Sequence, residues 1–527
     1  MNRWVPLFLV LAVAVAWANS VDVPFTYDDK IEVVHPSVRD LSTPAAWVAY
    51  NPARAVVLTT YALNWALGGL DPRGYHLTSV AIHALNAVLA WRLATRLLSP
   101  TRAALAAGAW ALHPMATAGV TYLSGRSEAL VTTFSLVALA AWIDDARSPS
   151  PRARGVAIGA VAAAMATKES AAVLPALLLA ADWALVAGGR WRLVEWRRYA
   201  VPAALAATLA LGRVVLGGWP TPEVPRTALD HVVSQAHAWA LYLQLWLVPW
   251  GQSVLHGLPG RATPVGGVAL VGLVGVGAIA VRRGGLAAFA ALLWALPLVI
   301  SSAFVLRETM AEHRAYLSGL GLWLFVAWRL PERRFSWVLP ALLALGTVAR
   351  NQVWRDEVRL WQGATARWPD AAAAWYGYGQ SLRFADRCRE AVPAFERAYT
   401  LDGRVEALDE LGICRAGLGD PDGAREAWLR ALRQVPGHCA ALNNIAGLAL
   451  SQGDRAAAAS GYEGTLRACP DEPLAHYNLA LLYVAGGESR RAIFHLQEYL
   501  RVEPHGAYAA GAAARLRELT GAPLSGG

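Results

Sequence analysis

The sequence predicts an all-α protein in two parts, a polytopic membrane helical bundle of about eleven spans followed by an α-solenoid. Three observations predict it. The 527 residues are 56% hydrophobic and only 16% charged, well below the ~25% charged of soluble domains. The apolar residues lie in long blocks up to Ala349, and polar, charged, helix-forming sequence follows from Arg350 onward. Beyond that shift, Ala373, Ala407, Ala441 and Ala475 recur at a 34-residue interval. A chain of this length exceeds one ordinary domain. The boundary is therefore placed at the shift, giving a membrane domain over 1–350 and a repeat domain over 351–527.

A helix crosses a ~30 Å hydrocarbon core in about 20 apolar residues. That window places spans near 4–20, 75–98, 103–122, 127–145, 155–167, 170–187, 199–216, 264–281, 285–305, 314–330 and 335–349. The short pair 155–167 and 170–187 reads as a tight hairpin with Lys168-Glu169-Ser170 at its tip. The segment 234–250, with His237, Gln244 and many aromatics, reads as an interfacial helix, as does 53–67.

Arginine placement sets the orientation. Arg3, Arg96–Arg102, Arg147–Arg154, Arg190–Arg198, Arg282-Arg283 and Arg329–Arg334 fall on one side of an eleven-span chain, the cytoplasmic one. The N-terminus is then inside and the repeat domain outside, which predicts a cell-membrane protein with periplasmic repeats. Met1–Ser20 also has the pattern of a cleaved signal peptide, and the loop after it is extracytoplasmic either way. The outer face receives 21–74, 121–127, 168–170 and 306–314, joined by 217–263. The net charge of +9 does not point to nucleic acid, because the arginines form no basic stripe with interleaved aromatics. Lys30 and Lys168 are the only lysines, and both lie in these outer segments.

In the second domain Trp428, Tyr462 and Leu496 keep the repeat interval, with Phe395 one residue out of register, and Pro436, Pro470 and Pro504 close successive units. The period is that of tetratricopeptide repeats (TPR), whose stacked helix pairs leave a concave groove suited to extended peptides. All four cysteines lie here, with no zinc-like spacing. In an oxidising compartment Cys439 and Cys469 can pair, because a repeat's second helix ends near the start of its first. Free buried thiols are the alternative.

Four outer-face clusters carry the candidate chemistry. In Tyr27-Asp28-Asp29-Lys30 a carboxylate can act as general base toward a hydroxyl or hold a divalent metal against a phosphate. Adjacent side chains in a loop point apart, so Asp28 is expected in the cavity with Asp29 supporting it. Leu112-His113-Pro114 interrupts a span and is followed by Tyr122-Leu123-Ser124-Gly125-Arg126-Ser127-Glu128, where Arg126 is placed to bind a lipid phosphate or to pair with Glu128. Lys168-Glu169 offers a phosphate ligand beside a carboxylate, or a snorkelling interface pair. Glu312-His313-Arg314 with Tyr316 opens the tenth span. His256 and Asp71 with His76 are weaker candidates. Nucleotide-binding glycine loops, nucleophile elbows and His-Glu-x-x-His motifs are lacking, which disfavours chemistry driven by ATP or a nicotinamide cofactor.

Taken in order, these stretches resemble the GT-C glycosyltransferases with TPR arrays, the transmembrane and TPR-repeat-containing O-mannosyltransferases and their bacterial relatives. The resemblance rests on Tyr27-Asp28-Asp29, Asn64 to Gly69, Gly74-Tyr75-His76-Leu77, His83-Ala84-Leu85-Asn86, Leu112-His113-Pro114, Tyr122 to Glu128, Lys168-Glu169 and Glu312-His313-Arg314-Ala315-Tyr316-Leu317. It departs where Ser318-Gly319 stands in place of the family's Pro-Ser. The resemblance implies a GT-C fold, an extracytoplasmic cavity, a polyprenyl-phosphate monosaccharide donor such as dolichyl-phosphate mannose, and a protein Ser/Thr acceptor. It also implies Asp28 as catalytic carboxylate. The expectation is an inverting transferase with Asp28 and Asp29 catalytic. Arg126, Lys168 and Arg314 would lie on the donor phosphate, supported by His113, Glu128, Glu169, Glu312, His313 and Tyr316, and the repeats would bind the acceptor. A non-enzymatic membrane-anchored TPR scaffold is the rival, and it leaves the ordered outer-face charges unexplained. A lipid-linked-sugar transporter is a third reading, for which charges gathered on one face offer no path across.

Overall fold

The computed structural model describes residues 3–35, 38, 39, 51, 54–217, 226–306, 308–332, 334–504 and 506–521. Parts of the expected outer loops, 40–50 and 218–225, lie outside the described residues, as do Asn2, Arg307 and Arg333. All regular structure among the described residues is helical. The chain forms two compact units, Met1–Arg367 and Trp368–Gly527.

In the first unit several helices open on a polar cap followed by proline, at Asp71-Pro72, Ser99-Pro100, Ser150-Pro151 and Thr263-Pro264. The cap oxygen accepts a first-turn N–H, as Ser150 does from Ala153 (3.3 Å) and Thr263 from Gly266 (3.1 Å). The proline stands where no N–H is needed. Among the described residues five helices are long and apolar enough to cross a membrane: Pro72–Ala94, Leu123–Arg147, Glu169–Val186, Pro264–Arg283 and Gly285–Ala303. The other expected spans are shorter or interrupted. The stretch 103–122 stops as the helix Pro100–Ala111, because Pro114 disfavours helical backbone at His113. His113 instead caps the turn Pro114–Ala116, its Nδ1 accepting from Met115 N–H at 3.1 Å. The hairpin forms from Pro151–Met165 and a following run of 3-10, α and π turns that ends at Val186. The expected interfacial segments form Ala55–Gly68 and Ala228–Leu247, the latter bearing Asp230, His231 and His237. The last helix of the bundle, Val338–Trp354, extends beyond the expected end at 349.

The ion pairs of this unit fall into two sets. One joins Lys30–Glu357, Arg54–Glu32, Arg73–Asp22, Arg355–Asp22, Lys168–Glu128 and His256–Glu312. The other joins Arg96–Asp144, Arg102–Glu332, Arg154–Asp145, Arg198–Asp145 and Arg198–Asp182. Among the described residues these pairs connect no member of one set to a member of the other.

The second unit stacks four helix pairs, from Ala372–Phe384 with Cys388–Asp402 through Pro473–Ala485 with Ser489–Val502, and closes on Ala509–Thr520. Ala407, Ala441 and Ala475 are fully buried, as the interval requires. In the first pair the buried alanine is Ala374 rather than Ala373, the same one-residue offset that displaces Phe395. The first two pairs each match a glycine to a large ring. A Cβ on Gly412 would lie 2.4 Å from the Trp428 ring, and one on Gly379 would lie 2.6 Å from Phe395. Cys439 is disulfide-bonded to Cys469, tying the ends of the third pair, and Cys388 is bonded to Cys414, tying the first pair to the second.

Candidate functional site

The site begins with a strained turn. Tyr27 has φ +50, a left-handed conformation uncommon for a bulky residue and found at sites the surroundings over-determine. Here those surroundings are the carboxylates of Glu357, which accepts from Tyr27 N–H (3.2 Å), and of Glu308, which accepts from Tyr27 Oη (2.8 Å). The turn sends the two neighbouring aspartates in different directions. Asp29 is fully buried, with Oδ1 accepting from Ser124 N–H (2.7 Å) and Ser124 Oγ (2.8 Å) and Oδ2 from Thr26 N–H (3.3 Å). Burial outweighs these donors and pushes its carboxyl up to about 7. Asp28 instead lines a cavity of about 30 Å³, room for a water. Its Oδ2 accepts from Tyr122 Oη at 2.7 Å. Burial raises the Asp28 pKa, Tyr122 opposes the rise, and Glu308 and Glu32 reinforce it.

Glu308, Glu312 and His313 line the same cavity, between aromatic walls of Tyr27, Tyr122 and Trp354. Tyr122 stacks on Trp354 with centroids 5.6 Å apart and planes at 15°. Glu312 Oε1 accepts from Ser253 N–H (2.7 Å) and lies 2.9 Å from His256 Nε2, so the stretch 251–258 is pinned to the cavity. His313 is held well below its ordinary pKa by burial and then by the positive charges of Lys168, Arg314 and Arg54. The charges of these three cations, from three distant parts of the chain, thus act on one ring. Lys168 Nζ lies 3.0 Å from Glu128 Oε1 and donates to Ser127 Oγ at 3.3 Å. Arg314 donates to the Glu308 carbonyl at 3.0 Å. Glu169 acts electrostatically on Arg54.

Of the expected site residues Asp28, Glu312 and His313 line the cavity and the others do not, Lys168 and Arg314 included; Arg126, His113 and Tyr316 are engaged elsewhere. Arg126 is fully buried, donating to Ser79 Oγ (3.0 Å), Thr60 Oγ1 (3.0 Å), Asn64 Oδ1 (2.8 Å) and the Tyr75 carbonyl (2.6 Å), with the Tyr61 ring 4.7 Å away. With its guanidinium so engaged, it joins helices rather than presenting itself to a lipid phosphate. His113 caps its turn against Trp246, centroids 4.5 Å apart. Tyr316 bonds through its hydroxyl to His83 Nδ1 (2.5 Å) and is buried between helices. Sequence reasoning did not single out Glu308, Trp354, Arg54 or Ser253, which carry no motif of their own. Tyr122 lies within the 122–128 motif, where the sequence carries no sign of its hydrogen bond to Asp28. Among the described residues no group of three His, Cys, Asp or Glu side chains stands together as a metal site.

Comparison with known proteins follows the two units. Residues 55–216 match the family model described as dolichyl-phosphate-mannose-protein mannosyltransferase, and residues 354–405 and 410–473 match the tetratricopeptide repeat. Protein O-mannosyl-transferase Tmtc2 of Drosophila melanogaster is 25% identical over 46% of this chain and 28% of its own length. Protein O-mannosyl-transferase Tmtc3 of the same organism is 24% identical over 67% of this chain and 49% of its own. The chain thus spans about half, or less, of the length of these curated relatives. Among solved structures, that of MamA aligns with 28% of this chain and 86% of its own at 20% identity and a TM-score of 0.24. The chain is therefore similar to the protein O-mannosyl-transferases of the transmembrane and TPR-repeat-containing type, the resemblance its ordered motifs and 34-residue repeats imply.

Proposed function

We infer that the chain is an integral-membrane glycosyltransferase that moves a sugar, mannose by resemblance, from a polyprenyl-phosphate donor to Ser/Thr hydroxyls of proteins on the extracytoplasmic face. The observation that carries this reading is Asp28, a cavity carboxylate of raised proton affinity held by Tyr122, with Lys168, Arg54 and Arg314 gathered nearby. In the proposed step Asp28 takes the acceptor hydroxyl's proton as that oxygen bonds the anomeric carbon from the face opposite the phosphate. The phosphate leaves with the electron pair of the broken C–O bond, and the anomeric configuration inverts. Charge develops on the departing phosphate, where fixed cations act more strongly than water does. Lys168 and Arg314 take that role, with Arg126 reassigned to positioning the helix that bears Glu128. Asp29 holds the 121–127 turn against the Asp28 turn through Ser124.

Two observations support an outer-face site. The first ion-pair set joins only segments that arginine placement assigns outside, and the second joins only segments assigned inside or the helix ends beside them. Both disulfides lie in the repeat unit, in keeping with an oxidising compartment. A protein acceptor is supported by the similar proteins, which are protein O-mannosyl-transferases by name. The repeats would bind acceptor polypeptide. A scaffold with no chemistry gives no reason for a cavity carboxylate of raised proton affinity.

The test is incubation of the purified full chain with labelled polyprenyl-phosphate sugars and a Ser/Thr-rich peptide, with and without divalent metal. Transfer is expected, and Asp28→Asn should lower it about 10²–10⁴-fold, the range of a lost general base. A folded Asp28→Asn protein with full activity would remove the assignment.

A further inference from the structure

The loop that carries Asp28 is gripped by a stretch far along the chain, 354–361. Trp354 and Leu360 are buried with Val23 and Tyr122 in one apolar cluster. Arg355 donates to Asp22 at 3.0 Å. Trp361 is buried and meets the Tyr27 ring nearly at right angles, centroids 5.2 Å apart. Glu357 bridges two residues of the loop: Oε1 accepts from Tyr27 N–H at 3.2 Å, and Oε2 pairs with Lys30 Nζ at 2.5 Å. Asp28 lies between the two residues that Glu357 holds.

Tyr27 stands at φ +50, where a bulky residue stays only under constraint. The angle φ turns about the bond from the backbone nitrogen to Cα, so two grips, one at each end of that bond, fix it. Glu357 grips the nitrogen end through the N–H. Glu308, accepting from Tyr27 Oη at 2.8 Å, and the Trp361 ring grip the side chain beyond Cα. The chain leaving Cα, with Asp28 next, is thereby sent to the cavity, where Asp28 meets Tyr122. A bond from an N–H to a carboxylate is charge-assisted and stronger than one to a neutral acceptor. Glu357 lies within 354–405, a stretch that matches the tetratricopeptide repeat, and outside 55–216. We propose that Glu357 is a positioning residue for transfer: by accepting from Tyr27 N–H it holds the turn that aims Asp28, so the first residues of the repeat match serve the chemical step. This assignment rests on the reading of the cavity as a glycosyl-transfer site.

The test measures transfer by the purified full chain from a short-chain polyprenyl-phosphate mannose to a Ser/Thr-rich peptide, with rates taken per folded molecule. Glu357→Ala should lower kcat about 10–100-fold, the range of a lost charged hydrogen bond, and leave KM for both substrates within about 2-fold of wild type. Glu357→Gln keeps an oxygen for the Tyr27 N–H and should restore kcat to within about 5-fold of wild type, the remaining loss being that of the partly exposed pair with Lys30. A residue that only stabilised the fold would lower the folded fraction and leave kcat per folded molecule alone. If Glu357→Ala does not fold, Glu357→Met, which keeps the bulk of the side chain, should show the same loss. Failure of both to fold would make Glu357 structural and overturn the proposal. A raised KM for peptide at unchanged kcat would assign Glu357 to acceptor binding, and an equal loss in Glu357→Gln would assign the effect to the ion pair. Either result overturns the proposal, as do wild-type kinetics in Glu357→Ala. All of these leave wild-type transfer in place and so strike this assignment alone. A wild type that transfers nothing overturns the glycosyl-transfer reading as well.

Discussion

Asp28 and Asp29 are neighbours in sequence, and burial raises the proton affinity of both, but the consequences differ. In the proposed reaction Asp28 works as a base only when ionised, so activity should rise with pH through its elevated pKa. Tyr122→Phe deletes the hydrogen bond that lowers this pKa and should move the acid limb of kcat/KM to higher pH. Glu308→Gln deletes a neighbouring negative charge and should move the limb the other way. Opposite shifts in the two variants are the signature sought, and limbs that stay in place would detach Asp28 from the profile. Asp29 acts on stability. Its folded pKa of about 7 exceeds the ordinary 3.8, so the folded chain keeps a proton that the unfolded chain releases. The stabilisation is therefore complete below about pH 4 and is lost as pH rises through about 7. Asp29→Asn, still able to accept from Ser124, should flatten the fall in melting temperature between pH 4.5 and 8. The acidic pair was legible because ionisable residues beside a membrane span are costly and stand out. Glu308 was not, because it lies in no motif and only the fold brings it to Tyr27 and the cavity. Arg126 stood out for the same reason as Asp28, and only the side chains of Ser79, Thr60 and Asn64, from other helices, show that its guanidinium is engaged inside the protein.

At the scale of elements, the turn between Thr117–Val120 and Arg126–Arg147 carries Ser124 to Asp29 and Tyr122 to Asp28. Gly125 makes the turn tight enough to do this, since a Cβ there would lie 2.2 Å from the Ala118 carbonyl oxygen. That neighbour is backbone and cannot swing aside. Gly125→Ala should therefore destabilise the folded protein by about 1–3 kcal/mol, toward the upper end, and lower transfer activity with it. A melting temperature equal to wild type would mean the turn relaxes at no cost. The repeats were readable to within one residue, because a 34-residue interval fixes which alanine meets the next helix. The offset of Ala374 came from the first pair being out of step, for which Phe395 was the visible sign. Several spans were less readable. Apolar length gives the extent of a block but not the breaks within it, and the break at His113-Pro114 divides one expected span into a helix and two turns.

For the whole molecule, the partition of ion pairs argues sidedness without reference to lipid. An extended arginine cannot reach across a ~30 Å apolar slab, so charged loops that pair share a membrane face. Arg73, on the first set, and Arg154, on the second, have side chains 66% and 48% exposed, so each is a workable labelling site. All four native cysteines are in disulfides and do not compete for a thiol reagent. In intact cells with a permeable outer envelope, a membrane-impermeant maleimide should label Arg73→Cys and leave Arg154→Cys untouched until the inner membrane is opened. Loss of the Arg73–Asp22 pair is harmless to this readout, because exposed pairs are worth about 0–1 kcal/mol. Labelling of both positions, or of Arg154→Cys alone, would place the Asp28 cavity on the cytoplasmic side or remove the membrane between the two sets. Either result would separate the cavity from an extracytoplasmic acceptor and end the proposed reaction.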